Sequence, residues 1–434
     1  MRQNGFRRGT TRRRVVAPRP AAVRLGAVAG GLAACLLLVA ACGSDSSDTA
    51  GGASGTGDAT NATEVLGAVA KAAGEPVKIG LVSDGKAATV DQSVEIEAGK
   101  ATVAYLNEHR SGIAGRPIEL VTCASQADPG ITADCANRMI EQDVTAVIIG
   151  GVAAQESAWT PLHEAGIPVV LYSTSATALL ADAKSTFSFA DATFGTIGLP
   201  LKVAQKEGVK KVTAVVIDVP AAKGALEASA PAIYKKAGIE FELVAVPIGT
   251  ADMTPQMQQI AKDDGEVFIL GNDSFCISAL NGLNAVGFSG PISAIAQCVT
   301  DSTRTAISGD QLKGISISAI APVGTDNPST RLYNAVAAAY GKNIDTSKIA
   351  GINIFTAVAG LQTALEDLTG EITPATIINA LKTMPEKELP GSGGQKFQCG
   401  GKASSAAPAS CVQGGLISTL DDKGYPTSYE VAGA

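Results

Sequence analysis

The 434-residue sequence is poor in the groups that most enzymes use for chemistry: it has two histidines, His109 and His163, both in charged helical contexts, and one tryptophan, Trp159. GxSxG, HExxH, GxxxxGK[ST] and a GxGxxG set between a strand and a helix are all missing, so hydrolase triads, zinc proteases, P-loops and dinucleotide cradles lack their signatures. There is no CxxC, and two histidines are too few for an ordinary zinc site. Gly-rich stretches exist at 55–57 and 391–394, but in low-complexity or loop contexts where glycine signifies flexibility. Aromatic residues make up only 4%, which argues against a large flat ligand. These absences speak against catalysis and against a resident cofactor or metal.

What is present begins with the N-terminus. Residues 1–41 hold eight arginines and no acid, and end in an apolar run at 25–41, the pattern of a signal peptide. The run is Gly- and Ala-rich and, at 17 residues, at the short limit for spanning a bilayer. It ends in Val39-Ala40-Ala41-Cys42 and gives way to Ser, Gly, Asp, Thr and Ala, which resembles a bacterial lipobox with Cys42 lipidated. Leu32-Ala33-Ala34-Cys35 also fits, but cleavage there leaves an apolar stretch exposed after the anchor. The Arg12-Arg13 pair leaves Sec and twin-arginine export both open. Residues 42–76 are expected to form a lipid-anchored flexible tether.

Removing the eight leader arginines from 34 basic residues leaves 26 against 41 acids, a formal charge of −15, which disfavours nucleic acid as a partner. Six cysteines remain beyond Cys42, an even number in a chain expected to leave the reducing cytosol. The preferred pairing is sequential: Cys123 with Cys135, Cys276 with Cys298, Cys399 with Cys411. From residue 77 onward short apolar runs at 77–82, 117–122, 146–150, 168–171, 212–217, 241–246, 267–270, 291–296 and 314–319 alternate with amphipathic stretches such as 93–108, 131–141, 222–236 and 254–262. That alternation denotes βαβ units and parallel sheets. An eight-stranded barrel is the competing parse. The helical character of 329–340, 351–368 and 374–384 favours an α/β chain of two open lobes instead.

A family becomes visible at Ser111-Gly112-Ile113-Ala114-Gly115-Arg116-Pro117-Ile118, where a helix end carrying Asn107 runs through a Gly-rich turn into a strand. With Val147-Ile148-Ile149-Gly150-Gly151, Ala165-Gly166-Ile167-Pro168, the Ser173 to Thr177 turn and Thr254-Pro255-Gln256, in that order, the segment resembles the branched-chain amino-acid binding proteins, type 1 periplasmic solute-binding proteins of ABC importers. The resemblance implies two Rossmann-like lobes joined by three crossing strands and closing on a ligand. One lobe would comprise 77–195 plus 320–390, the other 196–319 plus 391–434.

Ligands of open parallel sheets sit at the carboxyl ends of strands, beside helix N-termini. Two such turns are Gly150 to Gln155 and Tyr172 to Thr177. By the resemblance, Ala153, Ala154 or Gln155, then Ser175 and Thr177, hold the ligand carboxylate, and Asn272 or Asp273 meets its ammonium. For Ser175, Thr177, Asn272 and Asp273, N-capping of the following helix is the competing explanation. Asp84 and Gln92 flank the first strand's turn, and Trp159 and Tyr172 lie near the pocket turns. Lys223 stands where the family often has a tyrosine, which leaves the ligand's side chain open. The expected protein is an exported lipoprotein that binds a small aliphatic amino acid and presents it to an ABC permease. A small amide, urea-like compound or organic acid, or a sensing role, is the alternative.

Overall fold

The computed structural model describes residues 64–87 and 90–433; the expected leader, the lipidation site at Cys42 and the tether up to residue 63 lie outside the described residues. The expected tether is corrected at its C-terminal part. Leu66 is buried in the first core, and the N–H groups of Ala70, Ala72 and Ala73 donate to the carbonyls of Glu108, Asn107 and Gly115. Arg116 Nε donates to Glu75 O at 2.7 Å, so 64–76 is docked chain rather than free leash.

The first lobe alternates strand and helix: β1 (Val77–Ser83), α1 (Ser93–His109), β2 (Ile118–Ala124), α2 (Pro129–Glu141), β3 (Ala146–Ile149), α3 (Gln155–Glu164), β4 (Val169–Leu171), α4 (Thr177–Ala181) and β5 (Thr186–Ser188). The strands form one parallel sheet in the order β2-β1-β3-β4-β5. Strand β3 shows why its sequence is continuously apolar: Ala146 and Ile148 enter one core, Val147 and Ile149 the core on the other face. Asp128 starts α2 by accepting Ile131 N–H at 2.9 Å, with Pro129 at the first helical position where its missing N–H costs nothing.

The chain then crosses through a π-helical turn, Phe194–Gly198, into α5 (Leu199–Glu207). The second lobe continues with β6 (Lys211–Ile217), α6 (Pro220–Ala237), β7 (Glu240–Val246), α7 (Thr254–Ile260), β8 (Glu266–Leu270), α8 (Asp273–Ala285), β9 (Ile292–Ile295), the short helices α9 (Asp301–Ala306) and α10 (Gly309–Leu312), and β10 (Ser316–Ala319). A second crossing returns the chain to the first lobe as α11 (Pro328–Tyr340), α12 (Ile349–Ala364) and α13 (Pro374–Thr383), with α11 and α12 packed on α1. Helix α12 is apolar around most of its circumference and is accordingly buried, Ile352, Ile354 and Phe355 completely. A small antiparallel pair of two-residue strands, β11 (Lys387–Glu388) with β12 (Lys396–Phe397), follows.

The last crossing delivers β13 (Gly415–Thr419) antiparallel to β10, and β14 (Glu430–Ala432) antiparallel to β13, completing a seven-stranded sheet ordered β14-β13-β10-β9-β8-β6-β7. The expected lobe border at 390/391 is thereby moved. Phe397, Cys399, Cys411 and Val412 belong to the first lobe's core, and Ser188 N–H donates to Ala409 O at 2.7 Å while Cys411 N–H donates to Ser188 O at 2.8 Å. The disulfides are Cys123–Cys135, Cys276–Cys298 and Cys399–Cys411, the sequential pairing. Two open α/β lobes, the first sheet parallel and the second mostly so, rather than a closed barrel, are what the chain forms.

Candidate functional site

The carboxyl ends of β3 and β4 carry the two turns that sequence singles out. Two buried acids hold the first. Glu95, on the first turn of α1, accepts Gly151 N–H at 2.9 and 3.0 Å and the Ser83 hydroxyl at 2.5 Å. Asp84 accepts the Ser125 hydroxyl at 2.6 Å, Ala127 N–H at 3.1 Å and Ala153 N–H at 2.9 Å. Burial pushes the Glu95 carboxyl up to about 7, against the lowering effect of Ser83 and Gly151, and the charge of Asp84 adds to the rise. A side chain at Gly150 would place its Cβ 2.7 Å from Glu95 Oε2 and 2.9 Å from Ile354 Cδ1, so this close approach requires glycine.

The Ala153 N–H is thus occupied by Asp84 rather than presented to a ligand, which removes it as a carboxylate donor. Gln155 ties the two turns together: its Nε2 donates to Ser173 O at 3.2 Å and its Oε1 accepts the Thr174 hydroxyl at 2.7 Å. Thr174 Oγ1 in turn accepts Ala176 N–H at 3.1 Å. Ser175 and Thr177 are exposed, and α4 opens without a side-chain cap, so capping does not account for their hydroxyls. A cavity of about 630 Å³ lies between the turns, with Ala153, Ala154, Gln155 and Ser175 in its wall; Thr177 opens α4 beside it, outside the lining.

This space adjoins a second cavity of about 350 Å³ that shares Ser173 and Ala192 with it and reaches between the two sheets. Its wall comes from segments far apart in sequence: Phe194 on the first crossing, Leu270 at the end of β8, Ile295 at the end of β9 with Ala296 and Gln297 after it, Ser318 on β10, Ile349 at the start of α12, and Gly414 on the last crossing. Sequence reasoning misses these residues. No local sequence signal marks them; Ile349 stands out only in the structure, as an apolar side chain that stays 44% exposed at a helix start. A further cavity, about 660 Å³, opens beside Gly290 to Ile292 and Lys313 to Ser316, at the amino ends of β9 and β10. It lies at the opposite ends of the strands from the turns.

On the second lobe, Asn272 caps α8, accepting Phe275 N–H and the Ser274 hydroxyl at 3.0 Å each, and Asp273 Oδ1 accepts Ser274 N–H at 2.8 Å. Asn272 is thus the N-cap of α8 and Asp273 its first residue, and neither lines the two cleft cavities. Lys223 Nζ lies 2.5 Å from Asp218 Oδ1, which raises the lysine above its ordinary range and occupies its charge. Trp159 donates to the Thr186 hydroxyl at 2.8 Å and stacks on His163, a packing role. Tyr172 is buried with its hydroxyl unpartnered among the described residues.

Comparison with known proteins agrees with this architecture. The family model described as periplasmic binding protein matches residues 76–415. The Leu/Ile/Val-binding protein homolog 6 of Brucella abortus is 27% identical over 211 residues, 48% of this chain and 53% of that protein, so the chain spans about half the length of the curated relatives it matches. Branched-chain amino acid transporter substrate-binding protein LivJ of Streptococcus pneumoniae, solved with isoleucine, superposes with TM-score 0.58 at 17% identity, over 83% of this chain and all of that one. An ABC-transporter solute-binding protein of R. palustris, solved with 4-hydroxybenzoate, gives TM-score 0.60 at 17% identity, over 82% of this chain and 97% of that one. At these identities the superpositions speak for the fold.

Proposed function

This chain belongs to the periplasmic binding protein family, and from that premise we propose that it captures a small carboxylate-bearing solute between its lobes and hands it to an ABC permease outside the cytoplasm. The observation that carries the carboxylate is the meeting of two strand-end turns in one cavity, with the Ser175 hydroxyl in its wall and two helix starts that lack side-chain caps. Backbone N–H groups at a helix start, with hydroxyls beside them, form a site for an anion. Isoleucine and 4-hydroxybenzoate, the ligands of the two solved neighbours, have a carboxylate in common.

Binding, not bond-making, is the role this reading assigns. ATP hydrolysis belongs to a separate subunit. Cys42 is proposed as the lipidated residue that keeps the receptor at the outer face of the membrane; Cys42→Ser should release the protein into the medium, whereas Cys35→Ser should not. Co-purification with a permease distinguishes an importer subunit from a sensor of the same fold.

The direct test is a thermal-shift panel of amino acids, aromatic acids, short aliphatic acids and their amides, followed by calorimetry on each hit. A rise of a few degrees with a carboxylate and none with its amide is the expected result. A response confined to amides would remove the carboxylate site and keep the fold.

A further inference from the structure

The turn after β3, which walls the carboxylate cavity, is gripped from behind by two buried acids, Glu95 and Asp84, 3% and 2% exposed. Glu95 accepts the N–H of Gly151 with both carboxylate oxygens, and Asp84 accepts that of Ala153, itself in the cavity wall. Their hydrogen-bond donors are backbone N–H groups and serine hydroxyls, and the charge acting on Glu95 is that of Asp84. The other neighbours of Glu95 are neutral: Ile354 of α12 beside Gly150, and Gln92 beside Gly151. Lys86 and Lys348 act on the exposed Asp91, and Glu156, on the first turn of α3, adds a further negative charge at the cavity.

An anion site backed by buried carboxylates is an electrostatic conflict, because like charges gathered in a poorly solvated place cannot all stay ionised. A proton on one of the acids resolves it. Asp84 accepts from two N–H groups, one on each oxygen, and an N–H cannot reverse its role. Glu95 has one N–H partner, and its Oε2 also faces the Ser83 hydroxyl, which can turn from donor to acceptor. With a proton on Oε2 directed at Ser83 Oγ, Oε1 keeps the Gly151 N–H at 2.9 Å. The turn is therefore held in both states, and what changes between them is the charge behind it.

We propose that capture is proton-linked: as the ligand's carboxylate enters the cavity, Glu95 takes up a proton from water, acting as a positioning residue behind the turn without touching the ligand. This inference rests on the carboxylate-capture reading above. In the free protein burial already lifts the Glu95 carboxyl to about 7. A ligand anion lifts it further, so the complex holds the proton more tightly than the free protein does. Affinity is then greatest below that value and falls as pH rises through it.

Isothermal titration of the purified protein at pH 5.5, 7.0 and 8.5 decides it, with L-leucine, 4-methylpentanoate and phenylacetate as first probes and the wider carboxylate panel behind them. The expected result is binding roughly 5- to 10-fold weaker at pH 8.5 than at pH 5.5. At pH 7.0 the heats in two buffers of different ionisation enthalpy should report uptake of about 0.4 proton per ligand. Glu95→Gln, checked for an intact thermal melt, keeps an acceptor for Gly151 N–H without the charge. It should show the wild-type pH 5.5 affinity at all three pH values and no buffer-dependent heat. The wild-type measurements stand whether or not the variant folds: affinity that is flat with pH, or binding without proton uptake, overturns the inference and leaves capture standing. A slope that persists in the folded variant assigns the proton to another group, His109 and His163 included, and overturns the role of Glu95. Silence from every carboxylate of the panel, in folded protein, removes the capture reading and this inference with it.

Discussion

Thr177 and Ser175 are hydroxyl groups at the opening of a five-residue helix that does not use them as caps. A polar group left without an internal partner beside a cavity is where a ligand bond has the most to gain. If Thr177 reaches the carboxylate when the lobes close, Thr177→Ala should weaken binding by about 1.5–3 kcal/mol, roughly 10- to 150-fold, with the melting temperature of the free protein unchanged. Calorimetry on both proteins checks this. Glu95 carries the pH dependence of the neighbouring turn. Its carboxyl is raised by burial to about 7 from the ordinary glutamate range, so the folded state holds the proton more tightly than the unfolded one. The stabilisation is complete below the unfolded value and is lost as pH rises through 7. Urea denaturation of wild type and Glu95→Gln at pH 4 and pH 8 should show the difference in stability between the two proteins change by on the order of 3 kcal/mol, with the wild type falling behind at the higher pH.

At the scale of elements, local covalent links act where strands meet helices. The Cys276–Cys298 loop spans 22 residues and joins α8 to the turn after β9. Replacing both cysteines by alanine should cost about 3 kcal/mol in chemical denaturation, with the far-ultraviolet spectrum retained. Strands β1 to β4 and β6 to β10 are legible as apolar runs; the central ones need no alternation because they are covered on both faces, as Ala146 to Ile149 show, whereas the edge strands β2 and β7 keep exposed positions. Strand β5 has three residues, Thr186–Ser188, and β12 two, too short to carry a period, and they exist because neighbours supply their partners. The same contrast holds for the site. The turns after β3 and β4 follow from strand-end logic, whereas Phe194, Ile349 and Gly414 meet only because three crossings bring them together, a fact of tertiary geometry that no local pattern encodes. Asn272 shows the converse: a local pattern compatible with two roles, of which the capping bond to Phe275 N–H is the one the fold displays.

Across the whole molecule, the two lobes share the chain in alternating instalments. The first sheet is covered by α11 and α12, which come after the second lobe's β10, and the second sheet is completed by β13, which comes after the first lobe's last core residues. Ending the chain at Val412 would remove Leu416 and Leu420, which are 0% and 2% exposed, and uncover the edge of β10. Burial of two leucines is worth about 3–6 kcal/mol, so the truncated chain should lose the cooperative melt of the second lobe or aggregate through the open edge. Differential scanning calorimetry and light scattering would report either result.

This interleaving also has a consequence in time. Synthesis runs from the amino terminus, and at the moment β10 emerges each sheet has a core made of earlier residues on one face only: the first still awaits Ile352 to Leu361, the second its added strand with Leu416. The core on one face of the first sheet is complete by Leu179, whereas the core on its other face waits for Phe397 to Val412 and the second sheet for Leu416 and Leu420, so each lobe is half-built until the last tenth of the chain has been made.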